Sequence, residues 1–334
     1  MLMLNRFVPG LTCVTWLAAT TAMAQPAPAP APVVAPLTVQ GAAPPKMIEK
    51  QAYSFVQSYA AVSNPEIDQI GRWQGPVCVQ VVGLDRAEQA ATIKARIESV
   101  AQEVGLPAAR AGCSANVEIV FTDQPQRTMD IVAKSREALL GYYHYHDRDR
   151  LKAVTGPIQS WYKTATRSWG GCAVSLAFAD LTDASGRAVR NTGFPGTTTG
   201  NETVDDPESV PPVGCGDASR FTATYTSLFD NVFIVADSKA LEGEDIGVVA
   251  DYMVMLALSK PRTLDGCNAL PSVTDLYAKS ACPGRDPPDG LTAADAAYLT
   301  ALYKADPEAR KAFQQSDIAG RMTKILVSGS AGGR

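Results

Sequence analysis

Residues 76–106 read PVCVQVVGLDRAEQAATIKARIESVAQEVGL, and this stretch decides the fold class. Its first nine residues are rich in β-branched valine and close on Gly83-Leu84, which predicts a strand. From Arg86 onward the apolar residues Ile93, Ile97, Val100 and Val104 recur at helical spacing. A strand therefore runs into an amphipathic helix, and the chain must pack helices on a sheet.

The same alternation continues outward. NVEIVFTD (116–123) predicts a second strand, and RTMDIVAKSREALLG (127–141) a second helix closed by Gly141. CAVSLAFADL (172–181) alternates as a third strand. Residues 185–219 are rich in Gly, Pro, Thr and Asp and read as a long surface loop. The acidic run NETVDDPE inside it lacks the ligand spacing of a calcium loop. FTATYTSLFDNVFIVAD (221–237) reads as two short strands across a turn, and IGVVADYMVMLALS (246–259) as a strongly apolar helix. Residues 290–326 are helical in two pieces, with Pro307 suited to the first turn of the second. Few connections look like parallel crossovers, so the expected class is α+β: a mixed twisted sheet with packed helices.

Ahead of this part, residues 1–24 carry one positive charge, Arg6, and a mostly apolar run ending in Ala22-Met23-Ala24. That layout predicts a secretory signal peptide. Pro9, Gly10 and several threonines interrupt the run too often for a membrane span. Cys13 follows Gly-Leu-Thr, a poor context for lipid attachment. Residues 25–47 are Pro/Ala-rich and predict an extended linker, which at about 3.1 Å per residue reaches on the order of 60 Å. A single domain is expected over 48–328, with a disordered tail at 329–334.

Export agrees with the cysteines. Six lie beyond the leader, at 78, 113, 172, 215, 267 and 282, and no C-x-x-C pair occurs among them. An even count in an oxidising compartment predicts disulfides, with sequential pairing the simplest scheme: Cys78 with Cys113, Cys172 with Cys215, Cys267 with Cys282. The net charge of −4, one unit more acidic without the leader, gives no electrostatic case for nucleic acid or an anionic membrane. The expected location is periplasmic or secreted.

Chemistry-bearing patterns are sparse. His144 and His146, in YYHYHDRDR (142–150), are the only two histidines. At i and i+2 they share a face on a strand but diverge on a helix. A zinc site needs a third protein ligand, and Asp149 is the nearest candidate. The alternating charges of 147–150 equally suit a solvated helix start. Tyr143, Tyr145 and Trp161 are candidates for an aromatic cleft that binds a peptide or glycan. No G-x-S-x-G elbow and no Walker or dinucleotide glycine pattern occurs, so no nucleotide cofactor is expected.

The last third carries a resemblance. ADYMVMLALSK (250–260), LPSVTDLY (270–277) and GLTAADAAYLTALY (290–303) resemble, in order, the zinc helix, the Met-turn and the closing helix of the metzincin metallopeptidases. The closing helix of that family often reads L-S-x-x-D-x-x-x-I-x-x-L-Y. GCSANVEIVFTD, GYYHYHDRDRL and ADYMVMLALS also resemble families of secreted bacterial proteins without an assigned activity. The resemblance implies a zincin-like core and places its three ligand positions at Ala250, Val254 and Lys260, with the general-base position at Asp251. Two of these side chains have no donor atom and the third is a cation, while Thr274 replaces the Met-turn methionine. Asp251 and Tyr252 would remain as polar groups of an inherited cleft, although the apolar length of the helix also suits a buried core element.

The resulting expectation is a non-catalytic envelope protein with a binding or scaffold role, without catalytic, metal or cofactor residues, whose partner is a protein, peptide or glycan. Two alternatives stand beside it. One is a divergent metal-dependent hydrolase drawing on His144 and His146. The other is an inhibitor that docks onto a true peptidase.

Overall fold

The computed structural model describes residues 44–64, 68–142, 147–168, 225–279 and 282–331. Strand β3, Val79–Val82, and helix α2, Ala87–Glu103, form where the 76–106 stretch predicts them. Helix α2 buries Ile93, Ile97, Val100 and Ala101, so the helical spacing marks its inner face. It carries the chain back to β4, Val117–Thr122, which pairs parallel with β3, Val79 opposite Val117. This right-sized crossover and the next parallel pair make the sheet more parallel than the sequence suggests.

Residues 225–237 correct an expectation. In place of two strands across a turn, Tyr225–Asp237 is one 13-residue strand, β6. Its C-terminal half pairs parallel with β4, Val117 opposite Val232. Its full length pairs antiparallel with β5, Ile158–Ser168, through an irregularity at Lys163/Thr164. At that irregularity Asp230 is the extra residue of a bulge, which leaves the strand continuous. Strand β5 itself follows the charged run 147–150, which suits a helix start. Only Arg148–Leu151, α4, is helical there.

The sheet order is β3-β4-β6-β5, three parallel strands with an antiparallel edge, and with seven α-helices among the described residues the fold is α+β. A separate two-stranded ribbon pairs β1, Val62–Asn64, with β2, Gln69–Ile70. One face of the larger sheet turns Val117, Ile119, Val232, Ile234 and Tyr162 into the main core, shared with α2 and with α5, Ile246–Leu258. The other face turns Trp161, Phe233 and Val235 against Met129 and Val132 of α3, Pro125–Ser135. Alternation along β5 and β6 produces this division.

The second predicted helix is interrupted. After α3 the chain breaks at Arg136 and makes a 3-10 turn, Glu137–Leu140, ending at Gly141 with φ +62°. A Cβ at Gly141 would collide with the Tyr162 carbonyl, so glycine lets this turn lie against β5. Helix α1, Pro45–Tyr59, begins three residues before the expected domain start, with Pro45 in its first turn. Helices α6, Ala293–Lys304, and α7, Lys311–Ala331, close the chain. Pro307 lies between them, because α7 starts four residues later than expected, and α7 runs three residues past the expected boundary at 328. The buried Arg72 guanidinium donates to the Leu302 and Ala305 carbonyls, at 2.5 and 2.7 Å, and so ties the end of α6 to the segment before β3.

Two disulfides of the sequential scheme are present, Cys78–Cys113 and Cys267–Cys282. Cys172 and Cys215 lie outside the described residues, as do the predicted strand 172–181 and the loop 185–219. No described helix is long and apolar enough to cross a membrane. All described residues fall in the unit Ala42–Arg334, the larger of the two into which the chain divides.

Candidate functional site at the end of helix α5

Helix α5 starts at Asp245, whose side chain accepts from the Gly247 and Val248 amides at 2.7 and 3.2 Å. This N-cap satisfies donors that a helix start leaves open. From Val249 onward every residue of the helix is buried except Asp251. At roughly 1.5–3 kcal/mol for each fully buried aliphatic side chain, it is a major contributor to the core.

Asp251 does not open into a cleft. One carboxylate oxygen meets Arg96 Nε at 2.5 Å and the other accepts from the Leu291 amide at 2.8 Å. A Cβ at Gly290 would stand 2.8 Å from that second oxygen, so glycine admits the carboxylate to the loop before α6. Asp251 thus joins α2, α5 and α6. Its neighbour Tyr252 is buried, with its ring edge-on to Tyr277 at 4.9 Å. Trp161 lies on the opposite face of the sheet, its Nε1 donating to the Leu151 carbonyl. The structure therefore brings Trp161 together with neither Asp251 nor Tyr252. Tyr143 and Tyr145 lie outside the described residues.

The C-terminal end of α5 is enclosed, so its unpaired carbonyls need donors from elsewhere. Each is supplied by a side chain. Ser259 Oγ donates to Met255 O at 2.7 Å and the Tyr162 hydroxyl to Leu256 O at 2.8 Å. Trp73 Nε1 donates to Ala257 O and the Tyr303 hydroxyl to Leu258 O, both at 2.8 Å. Tyr162 also reaches Ser259 O at 3.0 Å. The helix's own cap, β5, α6 and the segment before β3 thus seal one helix end.

Lys260 follows at once. Its backbone is held by a bridge between Pro261 and Ala60 and by the Ala61 amide donating to Lys260 O at 3.0 Å. Its Nζ lies 3.4 Å from the Ser63 carbonyl and 5.8 Å from the centre of the Tyr162 ring. Burial without a compensating anion pulls its pKa down to about 8. The sequence marks this residue only as a lysine between ten largely apolar residues and a proline; nothing in it points to Tyr162.

The segment 270–277 makes a 3-10 turn, Val273–Asp275, with Thr274 buried. Asp295, in the first turn of α6, accepts from Ser272 Oγ at 2.6 Å, the Val273 amide at 2.8 Å and Thr292 Oγ1 at 2.9 Å. Burial pushes the Asp295 carboxyl up and these donors pull it back. Thr292 caps α6 reciprocally with Asp295. Thr292 and Asp295 thus lock the preceding turn to α6, and Tyr303 near its end seals α5.

Zinc does not fit the helix positions assigned to it. Ala250 and Val254 are wholly buried and have no ligand atom, and Lys260 presents an ammonium. His144 and His146 lie outside the described residues. Asp149 is exposed and paired with Lys152 at 2.6 Å, whose hydrogen bond and charge hold its carboxyl below the usual range. Among the described residues no group of three His, Cys, Asp or Glu side chains is placed to hold a metal.

Comparison of the chain with protein-family models, curated proteins and solved structures finds no match.

Proposed function

We propose that this chain is an exported, disulfide-braced binding or scaffold protein of the cell envelope, built on a metzincin-like frame whose zinc helix has become a core helix. The succession of elements supports the frame: the apolar helix α5, the turn at 273–275 packed beneath it, and α6 locked to that turn through Asp295. The observation that carries the non-catalytic reading is the state of α5. Its two ligand positions are filled by buried Ala250 and Val254, and its end is sealed by Ser259, Tyr162, Trp73 and Tyr303. A helix packed this way holds the fold together and leaves no open position at which a metal-bound water could be activated. The two disulfides support an exported protein.

Thermal unfolding before and after incubation with a chelator, and again with added zinc, tests the reading. Equal midpoints in all three samples support it. A midpoint that falls with chelator and recovers with zinc would replace it with the hydrolase that uses His144 and His146.

A further inference from the structure

We propose that the groove between the end of α6 and the outer face of α7 is a docking site for an acidic amphipathic helix of a partner protein. The inference rests on the binding-protein reading and names the partner chemistry that it requires.

The groove has a volume of about 750 Å³ and is open to solvent. Helix α7 has two faces. Ile318, Ala319 and Met322 are buried in the core, whereas Phe313, Asp317, Gly320 and Lys324 recur at helical spacing along the groove. Six large apolar side chains are exposed among the described residues, and two of them, Phe313 and Ile325, line this one concavity. They stand about 18 Å apart along the helix axis, at about 1.5 Å per residue. Ala301 of α6 and Ala309 of the connection to α7 line the groove with small side chains. An apolar trough three turns long suits the apolar face of a helix.

Gly320 points to the same occupant. Glycine in a helix interior costs about 1 kcal/mol relative to alanine. A Cβ at Gly320 would meet nothing within 4 Å, so the packing of this chain does not require a glycine there. The missing side chain leaves room for a second helix to approach α7 closely, since the side chains at a contact set the distance between helix axes.

Charge selects an acidic partner. Three cations, Lys304, Arg321 and Lys324, and two acids, Asp306 and Asp317, line the groove. Arg321 pairs with Asp317 at 2.9 Å, whereas Lys304 and Lys324 meet no carboxylate within 4.0 Å among the described residues. Both lysines are exposed, Lys304 at the end of α6 and Lys324 next to Ile325. Acidic residues flanking an apolar stripe would meet both, and such charges decide which partner docks. A second copy of this chain does not offer that face. Exposed Lys46 and Lys50 accompany Met47 on α1, α3 exposes Ile131 alone, and α7 brings the same lysines again.

The test uses the full chain after export and fluorescence anisotropy. The probe is a fluorescein-labelled, lactam-stapled helix of about four turns, with leucines along one face and glutamates flanking them. Its controls are the same helix with lysines for the glutamates, and a peptide of the probe's composition in scrambled order. The expected result is saturable binding of the acidic helix, at least about tenfold tighter than either control. Gly320→Leu fills the groove and weakens binding about tenfold or more, while its thermal midpoint stays equal or rises because the new side chain has space. Ile325→Ser weakens binding in the same direction. A Lys304→Glu, Lys324→Glu double variant reverses the preference toward the lysine helix. Binding that does not saturate, that is equal for the acidic helix and a control, or that is indifferent to Gly320→Leu and Ile325→Ser would overturn the site. A concentration-dependent dimer in sedimentation, lost in Gly320→Leu, would overturn it too, by giving the groove to a second copy. Zinc measured on the same sample separates the two proposals. Stoichiometric zinc with selective helix binding overturns the non-catalytic reading alone, and zinc-free protein without helix binding overturns the docking site alone.

Discussion

The Tyr303 hydroxyl donates to the Leu258 carbonyl oxygen at 2.8 Å, across 45 residues of chain. This contact joins the last turn of α6 to the last turn of α5. With the matching contacts from Trp73 and Tyr162, it makes an enclosed helix terminus energetically tolerable, since an unpaired buried carbonyl costs about 1–3 kcal/mol.

Removing these hydroxyls should therefore destabilise the protein with little change in shape. Tyr162→Phe orphans two buried carbonyls, Leu256 O and Ser259 O, and should cost about 2–3 kcal/mol in urea unfolding. Tyr303→Phe orphans one carbonyl, Leu258 O, and removes a long 3.5 Å acceptor from the Trp73 amide, and should cost about 1–2 kcal/mol. The reverse order would place the seal elsewhere.

Asp295→Ala should be among the most damaging single changes. It removes the acceptor for the buried Ser272 Oγ and Val273 amide and for the part-exposed Thr292 Oγ1, and takes away the reciprocal half of the cap of α6. A loss of about 3 kcal/mol or more in denaturant unfolding follows. Asp295→Asn keeps one acceptor oxygen and should recover part of it.

Much of the architecture was legible in the residues. Ile93, Ile97 and Val100 mark α2, and the valines of 77–82 and 117–120 mark adjacent strands. Helix α1 was legible and missed: Ile48, Ala52, Phe55, Val56 and Tyr59 recur at helical spacing, but the Pro/Ala-rich run before them drew the boundary too late. Strand β5 was hidden by its approach, because the charged run 147–152 reads as helix and its strand pattern begins only after Pro157. The site was less legible. Asp251 looked like a surviving polar group of a cleft, whereas its carboxylate ties Arg96 to the Leu291 amide, a pairing over 155 residues that no local pattern encodes. Lys260 acquires its character from Tyr162 and Ser63, which only the fold brings near it.

Lys260 sets a pH dependence. Its folded pKa of about 8 lies below the ordinary 10.5, so between these values the unfolded chain binds more protons than the folded one. Stability then rises with pH across that window, and the penalty of the buried charge is fully present below pH 8. Lys260→Met should be about 1–3 kcal/mol more stable than the parent at pH 7, with the gap closing toward pH 10. Urea unfolding of both proteins at pH 7 and 9.5 measures it, and a gap independent of pH would contradict the assignment.

The two described disulfides should rank by the loops they close. Cys78–Cys113 spans 35 residues and Cys267–Cys282 spans 15, so loop-closure entropy assigns them roughly 4 and 3 kcal/mol. Paired alanine substitutions measured by denaturant unfolding should follow that order.

We propose that α5 serves core packing and not zinc ligation. Elemental analysis of protein purified from zinc-supplemented cells tests it most directly. Zinc far below one equivalent is expected, unchanged in a His144→Ala, His146→Ala double variant. One equivalent of zinc per chain, lost in that double variant, would contradict it.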